Sequence, residues 1–370
     1  MPTNKLRVFA TCHIGDAAED RLRQRGYALE IYPGPDAPPK KLIVEKVRSG
    51  IDGLITTLRD PIDAEVFEAG KGKLKAVAQL AVGVDNINRP DANRYKVPFT
   101  NTADVLTDAT AEFAFFMMGA VARRLWDAEK LVRENRWGSW HPFLPFLGDE
   151  ITGKTIAVIG TGRIGRAMIS KCTGFDMNIL CYDPVFQDHQ FVAAIQQLMD
   201  LRHANRLQPE KTWIKYVTLE DALRQADFVT LHVPLLRGSE SATPTYHLIN
   251  ENTLRLMKRD AYLINDSRGP VVDEAALYKA LKERWIAGAA LDVFEREPLP
   301  ADSPLRDPEI ADRCRLFPHF ASAGKITRLS IDPTKGMAGR CVQGLIDVLE
   351  GNYGGDVSKM PYVVNKEAFQ

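Results

Sequence analysis

Short apolar segments alternate with longer amphipathic segments along the first hundred residues of the chain. Two amphipathic segments, residues 17–26 and 38–49, each end at or next to a glycine, as helices often do. The apolar segments have the length and composition of buried strands; they are residues 6–10, 28–32, 53–57, 75–80 and 98–101. Strands that alternate with helices in this way predict a parallel sheet covered on both faces.

The same alternation resumes at residue 154 and continues towards the end of the chain. A helical segment at 274–282 lies between the last two strand-like segments, which complete the set 155–159, 177–182, 226–234, 261–265 and 287–293. Residues 187–214 interrupt the pattern as a partly charged insertion without a readable motif. We therefore predict an α/β protein with two doubly wound parallel sheets, in which a final helix over 330–352 returns to pack on the first domain.

The longest helical pattern covers residues 107–135 and begins with the cap-like pair Thr107-Asp108. Its first half is almost entirely apolar, which predicts a helix buried between domains or between subunits. The apolar run Phe113–Ala122 is shorter than the ~18 residues that a membrane span requires. The aromatic loop 137–142 follows it and is a candidate interface anchor or pocket wall, with simple packing as the alternative.

Three glycines with the spacing G-x-G-x-x-G follow the strand at 155–159, within KTIAVIGTGRIGRAMIS at Lys154–Ser170. In a strand-turn-helix unit that binds a dinucleotide, Gly160 makes the tight turn and Gly162 lets the backbone approach a pyrophosphate. Gly165 then lets the helix pack closely on the strand. The phosphates lie at the N–H groups and the positive dipole end of the helix. The motif is not specific on its own, because glycine-rich turns are common.

An acidic residue at the end of the next predicted strand makes the prediction of a dinucleotide-binding unit more specific. Asp183 follows Gly165 by about 20 residues, where a dinucleotide-binding unit delivers a carboxylate to the adenosine ribose. A carboxylate there binds the 2′-hydroxyl and repels a 2′-phosphate, and the following segment Pro184–Phe186 supplies no arginine to bind one. We therefore predict NAD(H) as the cofactor, in preference to NADP(H). A turn residue before Pro184 is the alternative role of Asp183.

Composition and charge mainly exclude certain classes of partner and certain kinds of site. The 370-residue chain carries 48 basic and 48 acidic residues, so no net field attracts nucleic acid or an anionic membrane, and we expect neither as a partner. The first residues show no secretory pattern. The five scattered cysteines contain no C-x-x-C pair, which argues against a disulfide framework or a zinc site. We expect reduced thiols, no metal and a cytoplasmic location, with Cys172 and Cys181 as core residues.

A glycine turn ends the fourth strand, within QLAVGVDN at Gln79–Asn86. Ligands of open parallel sheets bind outside the carboxyl ends of the strands. The N–H groups of Val82 and Gly83 are therefore candidates for a small anion nest that binds a substrate carboxylate. A plain turn is the alternative.

Three polar residues follow the late strands of the second half. Arg268 follows the strand at 261–265, Glu297 follows the strand at 287–293, and His319 comes later within FPHF. We expect all three at the carboxyl edge of the sheet that binds the dinucleotide. Separately, they have ordinary structural alternatives: a surface ion pair, a turn charge and a core histidine.

Together, the three residues suit hydride transfer to a 2-oxo acid. An arginine binds a carboxylate through two hydrogen bonds and polarises the neighbouring carbonyl. A histidine can deliver the proton that the developing alkoxide requires. A carboxylate beside the imidazole orients the ring and favours its protonated form. We therefore hypothesise that Glu297 and His319 form a catalytic dyad assisted by Arg268.

Longer motifs cover nearly the whole chain: LAVGVDNIN at 80–88, NTADVLTDATAE at 101–112 and WGSWHPFLPFLG at 137–148, followed by HVPL, NDSRG, ALDVFEREP and PHFASA. Together they resemble the motifs of the D-isomer-specific 2-hydroxyacid dehydrogenases. The second and third are similar to segments of that family's glyoxylate and hydroxypyruvate reductases. The resemblance implies NAD(H)-dependent reduction of a small 2-oxo acid to the D-2-hydroxy acid.

The resemblance also assigns roles to individual positions. Arg268, Glu297 and His319 match the family's catalytic triad, and Val82 and Gly83 match its carboxylate-binding loop. Asp292 and the backbone of Asp266 match groups that bind the nicotinamide carboxamide. Leu58 and Trp140 are candidate walls of the substrate pocket. Further cofactor contacts are predicted from Thr110, Gly160, Gly162, Arg163, Ile164, Gly165, Asp183, Val233, Pro234 and Ser267.

At the level of domains, the resemblance implies a flavodoxin-like substrate-binding domain formed by residues 1–103 and 323–370, and a Rossmann NAD-binding domain formed by 104–322. It also implies a homodimer that forms through helix 107–135 and the loop after it. Two departures from the family pattern stand out. Asp266 occupies a position where the family usually has a small or neutral residue, and the insertion 187–214 is longer than usual and lies near the adenosine side.

Two alternatives remain open. One alternative is an enzyme similar to the D-3-phosphoglycerate dehydrogenases, which belong to the same family. The C-terminal-binding corepressors share the fold, the cofactor and the triad while acting as NAD(H)-sensing binding proteins, so intact catalytic residues do not exclude a binding role. The loops favour glyoxylate or hydroxypyruvate as the substrate, and bulkier 2-oxo acids are the alternative.

Overall fold

A computed structural model describes residues 5–238 and 241–370 of the chain. Two compact units form: unit 1 comprises Met1–Thr107 and Ala323–Gln370, and unit 2 comprises Asp108–Ser322. The strands are β1 Arg7–Ala10, β2 Ala28–Ile31, β3 Gly53–Thr56, β4 Ala76–Gln79, β5 Phe99–Thr100, β6 Thr155–Ile159, β7 Asn178–Tyr182, β8 Ile214–Tyr216, β9 Phe228–Leu231, β10 Tyr262–Asn265, β11 Gly288–Leu291 and β12 Cys314–Leu316.

The α-helices connect and cover these strands. They are α1 Asp16–Gln24, α2 Lys40–Arg48, α3 Ala64–Ala69, α4 Arg89–Arg94, α5 Thr107–Ala122, α6 Leu125–Arg133, α7 Arg163–Cys172, α8 His189–Ala204, α9 Leu219–Gln225, α10 Glu251–Leu254, α11 Glu274–Lys282, α12 Lys325–Leu329 and α13 Met337–Leu349. No helix within the described residues combines the length and apolar character needed to cross a membrane.

Unit 1 is built on a five-stranded parallel sheet with the order β2-β1-β3-β4-β5. Every residue of β3 and β4 is buried, because helices cover both faces and leave no side of these strands in water. Helix α13 packs on β3 and β4, so the end of the chain returns to this sheet as predicted. This strand order is that of flavodoxin-like sheets.

Unit 2 is built on a seven-stranded parallel sheet with the order β12-β11-β10-β9-β6-β7-β8. The order reverses between β6 and β9, and in open α/β sheets such a switch point is where a dinucleotide binds. Cys172 and Cys181 are fully buried in the core of this unit, as expected, and burial raises the pKa of both thiols. The predicted fold class, with two doubly wound parallel sheets, is confirmed.

The prediction of one continuous helix over 107–135 was wrong, because α5 ends at Ala122 and α6 begins at Leu125. Arg124 between them is left-handed, with φ 52°. The Asp149 N–H donates to the Ala122 carbonyl at 2.9 Å. A Cβ at Gly148 would lie 2.7 Å from the Arg123 Cα, so the 148–149 segment packs directly on the helix end. The break between α5 and α6 therefore coincides with packing of residues 148–149 against the end of α5.

Several further elements differ from the pattern predictions. Helix α8 fills the insertion in which no element was predicted, and it leads to the edge strand β8. The C-terminal helix is shorter than the predicted 330–352, because Pro333 and a turn closed by the Asp332 carboxylate precede it. Strand β12 and the short helices α3, α4, α9, α10 and α12 were also not predicted.

Candidate active site

Three neighbouring strands of unit 2 bring the predicted triad to one edge of the sheet. Strands β10, β11 and β12 are parallel neighbours. Arg268 follows the end of β10, Glu297 follows β11 and His319 follows β12. Because parallel strands end at the same edge of a sheet, residues far apart in sequence converge there.

Glu297 and His319 form a direct pair. The Glu297 Oε2 atom lies 2.9 Å from the His319 Nδ1 atom, and each side chain is 31% exposed. The Phe294 N–H donates to the other carboxylate oxygen at 3.1 Å. Burial raises the pKa of Glu297, but the hydrogen bond and charge of His319, the Phe294 N–H and Arg268 outweigh it and lower the pKa overall. The carboxylate is therefore ionised at neutral pH and can balance a protonated imidazole.

The loop that carries His319 is bonded to the end of β11 by Asp292. The Asp292 carbonyl accepts the His319 N–H at 2.8 Å, and its carboxylate accepts the N–H groups of Phe320 and Ala321 at 2.6 and 2.7 Å. His319 itself is left-handed, with φ 54°, a conformation that costs energy for a histidine and is held here by these bonds. Burial raises the pKa of Asp292 to about 6, although the two amides partly counteract it.

Asn265, which the sequence did not single out, positions the loop of Arg268. Its amide donates to the Arg268 carbonyl at 3.0 Å, and its Oδ1 atom accepts from the Ser267 N–H and hydroxyl. A Cβ at Gly269 would lie 1.8 Å from the carbonyl carbon of Phe294, so only glycine lets this loop approach the loop of Glu297. An asparagine at the end of the predicted strand 261–265 was the available signal, since asparagine is depleted in strands.

The glycine turn has the geometry that a dinucleotide requires. A Cβ at Gly160, where φ is 92°, would lie 2.6 Å from the His232 carbonyl oxygen, at the start of the segment that contains Val233 and Pro234. A Cβ at Gly165 would lie 2.0 Å from the Gly160 carbonyl oxygen. Gly162 has no described atom within 4 Å of such a Cβ, so it faces open space. The first and third glycines therefore serve the fold, and the second leaves room for a pyrophosphate.

This difference between the glycines predicts two separable outcomes. We expect Gly162→Ala to leave the melting temperature nearly unchanged and to weaken NADH binding by about tenfold or more, because the methyl group enters the space for the phosphates. Gly165→Ala is the matched contrast, and its clash with backbone should destabilise the fold by roughly 1–3 kcal/mol. Thermal unfolding and fluorescence titration with NADH measure both effects. Unchanged NADH binding by folded Gly162→Ala protein would contradict this role.

Other predicted cofactor residues surround the switch point of the same sheet. Asp183 directly follows β7, and its Oδ2 atom accepts the Thr161 N–H of the glycine turn at 3.0 Å. Its Oδ1 atom accepts the N–H groups of Val185 and Phe186, so it also closes a turn. Arg163 and Ile164 begin α7, and Thr110 is buried on α5. These residues fit NAD(H), with the glycine turn facing the phosphates and Asp183 beside it.

Asp266 has an unusual setting that accounts for its departure from the family pattern. Its side chain is fully buried, and its Oδ1 atom lies 3.3 Å from the Nδ1 atom of His232. The other ring nitrogen of His232 lies 3.0 Å from the Thr230 hydroxyl. The Asp266 carboxylate is therefore buried beside the His232 ring, and within the described residues neither of its oxygens has a hydrogen-bond partner. His232 was not predicted as a site residue.

Trp140 in unit 2 and three residues of unit 1 complete the predicted set. Trp140 lies in the irregular loop after α6 and is 79% exposed. Leu58, Val82 and Gly83 belong to unit 1, where they follow β3 and β4. Asn101 donates to the Val82 carbonyl at 2.8 Å, which points the Gly83 N–H the opposite way. Within 5–238 and 241–370, nothing accepts a hydrogen bond from the N–H of Val82 or Gly83.

The described residues contain one group with metal-ligand spacing, formed by His13, Asp16 and Glu19 of unit 1. Its buried carboxylate, Glu19, already accepts hydrogen bonds from Arg23 and from the Ile14 N–H. Ordinary ion pairing accounts for this group.

Comparisons with known proteins agree with this geometry. The model of the D-isomer specific 2-hydroxyacid dehydrogenase NAD binding domain matches residues 115–321. The chain is 44% identical over 325 residues to a glyoxylate reductase of Korarchaeum cryptofilum, covering 88% of this chain and 89% of the relative. It is 39% identical over 367 residues to a glyoxylate reductase of Thermococcus litoralis, covering 98% of both.

A solved structure extends the similarity to three dimensions. The TT0316 protein of Thermus thermophilus superposes with a TM-score of 0.79 at 34% identity, covering 97% of this chain and all of the other. The two relatives and this structure match nearly the whole length of the chain, and the family model matches residues 115–321 within it. The chain therefore belongs to the D-isomer specific 2-hydroxyacid dehydrogenase family and is an NAD-dependent oxidoreductase that acts on CH–OH groups.

Proposed function

We propose that this enzyme reduces a small 2-oxo acid, of the size of glyoxylate or hydroxypyruvate, to the D-2-hydroxy acid with NADH. The observation that carries the proposal is the Glu297–His319 pair at 2.9 Å, on the same sheet edge as Arg268 and on the same sheet as the glycine turn. The similarity to proteins named glyoxylate reductases supports the choice of substrate.

Each residue of the triad has a role that follows from its chemistry. When bound, NADH supplies the hydride. Arg268 binds the substrate carboxylate and draws electron density from the adjacent carbonyl. Because Glu297 engages Nδ1 of His319, proton delivery to the developing alkoxide runs through Nε2. In unit 1, the N–H groups of Val82 and Gly83 have no acceptor within the described residues and form a candidate anion nest.

Glu297 is expected to set the pH range of the reaction. In Glu297→Gln the imidazolium loses its counter-charge, so the rate of 2-oxo acid reduction should begin to fall at lower pH than in the wild type, and kcat should drop about 10- to 100-fold. The sign follows from the contact itself, because a carboxylate 2.9 Å from an imidazole nitrogen stabilises a positive charge on the ring. A pH–rate profile measures the shift. Glu283→Gln, at the far end of α11, is the matched control. An unshifted profile would remove Glu297 from the mechanism.

A hydrophobic surface of unit 2 supports a second copy of this chain as the partner. We propose a homodimer that buries the exposed apolar residues of α5, α6 and the loop after them, because exposed patches of this kind mark interfaces. They are Phe116, Leu125, Trp126, Val132, Trp137, Trp140, Phe143, Leu144 and Leu147. Light scattering measures the mass, and a monomer at micromolar concentration would contradict this assignment.

The proposed function is tested by the loss of NADH absorbance with a panel of 2-oxo acids, repeated with NADPH. We expect higher kcat/KM for glyoxylate or hydroxypyruvate than for phenylpyruvate or 3-phosphohydroxypyruvate, and higher values with NADH than with NADPH. Preference for a bulky or phosphorylated 2-oxo acid would agree with the proposed reaction but contradict the proposed substrate. Tight NADH binding without turnover of any acid would overturn the enzymatic function.

A further inference from the structure

An arginine lies beside the predicted ribose carboxylate, although the sequence around Asp183 contains none. Arg166, on α7, donates from Nε to the Thr161 carbonyl at 3.1 Å. The N–H of the same threonine donates to Asp183 at 3.0 Å. The Arg166 guanidinium also lies 5.8 Å from the Phe186 ring, next to the turn that Asp183 closes. A guanidinium at this place has the charge and the donors to bind a ribose 2′-phosphate.

Asp188 engages this arginine. Its Oδ2 atom lies 2.8 Å from the Arg166 Nη1 atom, and its Oδ1 atom caps α8 by accepting the Phe191 N–H at 2.9 Å. The Phe191 N–H and, to a smaller extent, Arg166 lower the pKa of Asp188, so the carboxylate is ionised at neutral pH. The Arg166–Asp188 pair therefore carries no net charge, whereas Asp183 accepts hydrogen bonds from the backbone N–H groups of Thr161, Val185 and Phe186.

A hydrogen-bonded chain links Asp188 back to Asp183. The Asp188 N–H donates to the Tyr216 hydroxyl at 3.0 Å, and that hydroxyl lies 3.1 Å from the Thr161 hydroxyl. The insertion 187–214 and the strand after it thus close a ring of contacts around the adenosine side. The insertion, which had no readable motif, supplies the residue that holds Arg166.

We propose that Asp188 is a second determinant of cofactor choice, which excludes NADP(H) by holding Arg166 away from a ribose 2′-phosphate. This inference rests on the proposed preference for NAD(H). In the wild type, a 2′-phosphate meets two carboxylates and a guanidinium that is already paired. Removal of the Asp188 charge leaves one carboxylate and an arginine available for bidentate binding.

Asp188→Asn tests the proposal with little risk to the fold, because asparagine retains the oxygen that caps α8 and is as good an N-cap as aspartate. We expect NADPH to bind about tenfold more tightly to this variant, while the Kd for NADH changes less than about threefold. The double variant Asp188→Asn/Arg166→Gln should bind NADPH no more tightly than the wild type does. Asp200→Asn, on the same helix but paired with Lys211, is the matched control and should change neither Kd.

Fluorescence titration with NADH and NADPH provides the readout, and it requires no substrate turnover. Equal wild-type Kd values for the two cofactors would refute the proposed NAD(H) preference. Independently, an unchanged NADPH Kd in folded Asp188→Asn protein would overturn the role of Asp188. If the double variant still bound NADPH more tightly than the wild type, the proposed role of Arg166 would be wrong. Removal of the Asp188 charge alone would then account for the tighter binding.

Discussion

Replacement of His319 by asparagine is expected to lower kcat for 2-oxo acid reduction by roughly 100- to 10,000-fold, the range that loss of a general acid produces. His319 is paired with Glu297 at 2.9 Å, and no other group in this pair can supply a proton at neutral pH. Asparagine is the appropriate replacement because His319 is left-handed, with φ 54°, and asparagine tolerates that conformation better than alanine does.

NADH binding and thermal stability separate this effect from misfolding, since both should stay close to wild type in His319→Asn. His203→Gln is the control histidine, because it lies near the end of α8, the helix that runs back to the amino end of β8. Near-full turnover by His319→Asn would show that the proton comes from elsewhere.

Replacement of Arg268 by alanine is expected to lower kcat/KM for a 2-oxo acid by about 100- to 1,000-fold, mainly through a higher KM. Two charge-assisted hydrogen bonds to the substrate carboxylate are lost, each contributing ~1.5–3 kcal/mol. Arg268→Lys should recover only a small part of the loss, because a lysine retains the charge but not the planar pair of donors.

The control for Arg268 is Arg259→Gln, an exposed arginine at the opposite end of β10. Steady-state kinetics for the three variants, with NADH saturating, separate KM from kcat. If Arg268→Lys matched the wild type, bidentate binding would not be needed. If Arg268→Ala changed kcat alone, its role would be catalytic polarisation and not substrate binding.

Ten of the twelve strands could be predicted from the sequence because they rest on local information; β8 and β12, at the edges of the sheet of unit 2, were not predicted. Buried parallel strands appear as short apolar runs, and polar residues after such runs must lie at one edge of the sheet. Arg268, Glu297 and His319 could therefore be placed at that edge before any distance was known. Their spacing along the chain carried no information about the 2.9 Å separation of Glu297 and His319.

Features that depend on contacts between distant residues could not be predicted. The break at Arg124 is accompanied by packing of Gly148 and Asp149 on the end of α5. Helix α8 gave no clear periodic signal, because Leu198 and Leu201 are exposed while Ile195 and Met199 are buried. The cofactor site also depends on contacts between distant residues, which the sequence alone could not predict.

The sequence prediction considered an arginine only in the segment directly after Asp183. Arg166 instead reaches the neighbourhood of Asp183 from the preceding helix α7, and Asp188 holds it there. The roles of Asn265 and His232 likewise became visible only through their partners, the loop of Arg268 and the buried carboxylate of Asp266.

Product analysis tests the central claim most directly. The enzyme is incubated with hydroxypyruvate and NADH, and the glycerate formed is quantified by chiral chromatography beside the NADH consumed. The account predicts D-glycerate in an amount equal to the NADH consumed, with almost none formed by His319→Asn. Formation of L-glycerate, or bound NADH with no glycerate at all, would contradict it.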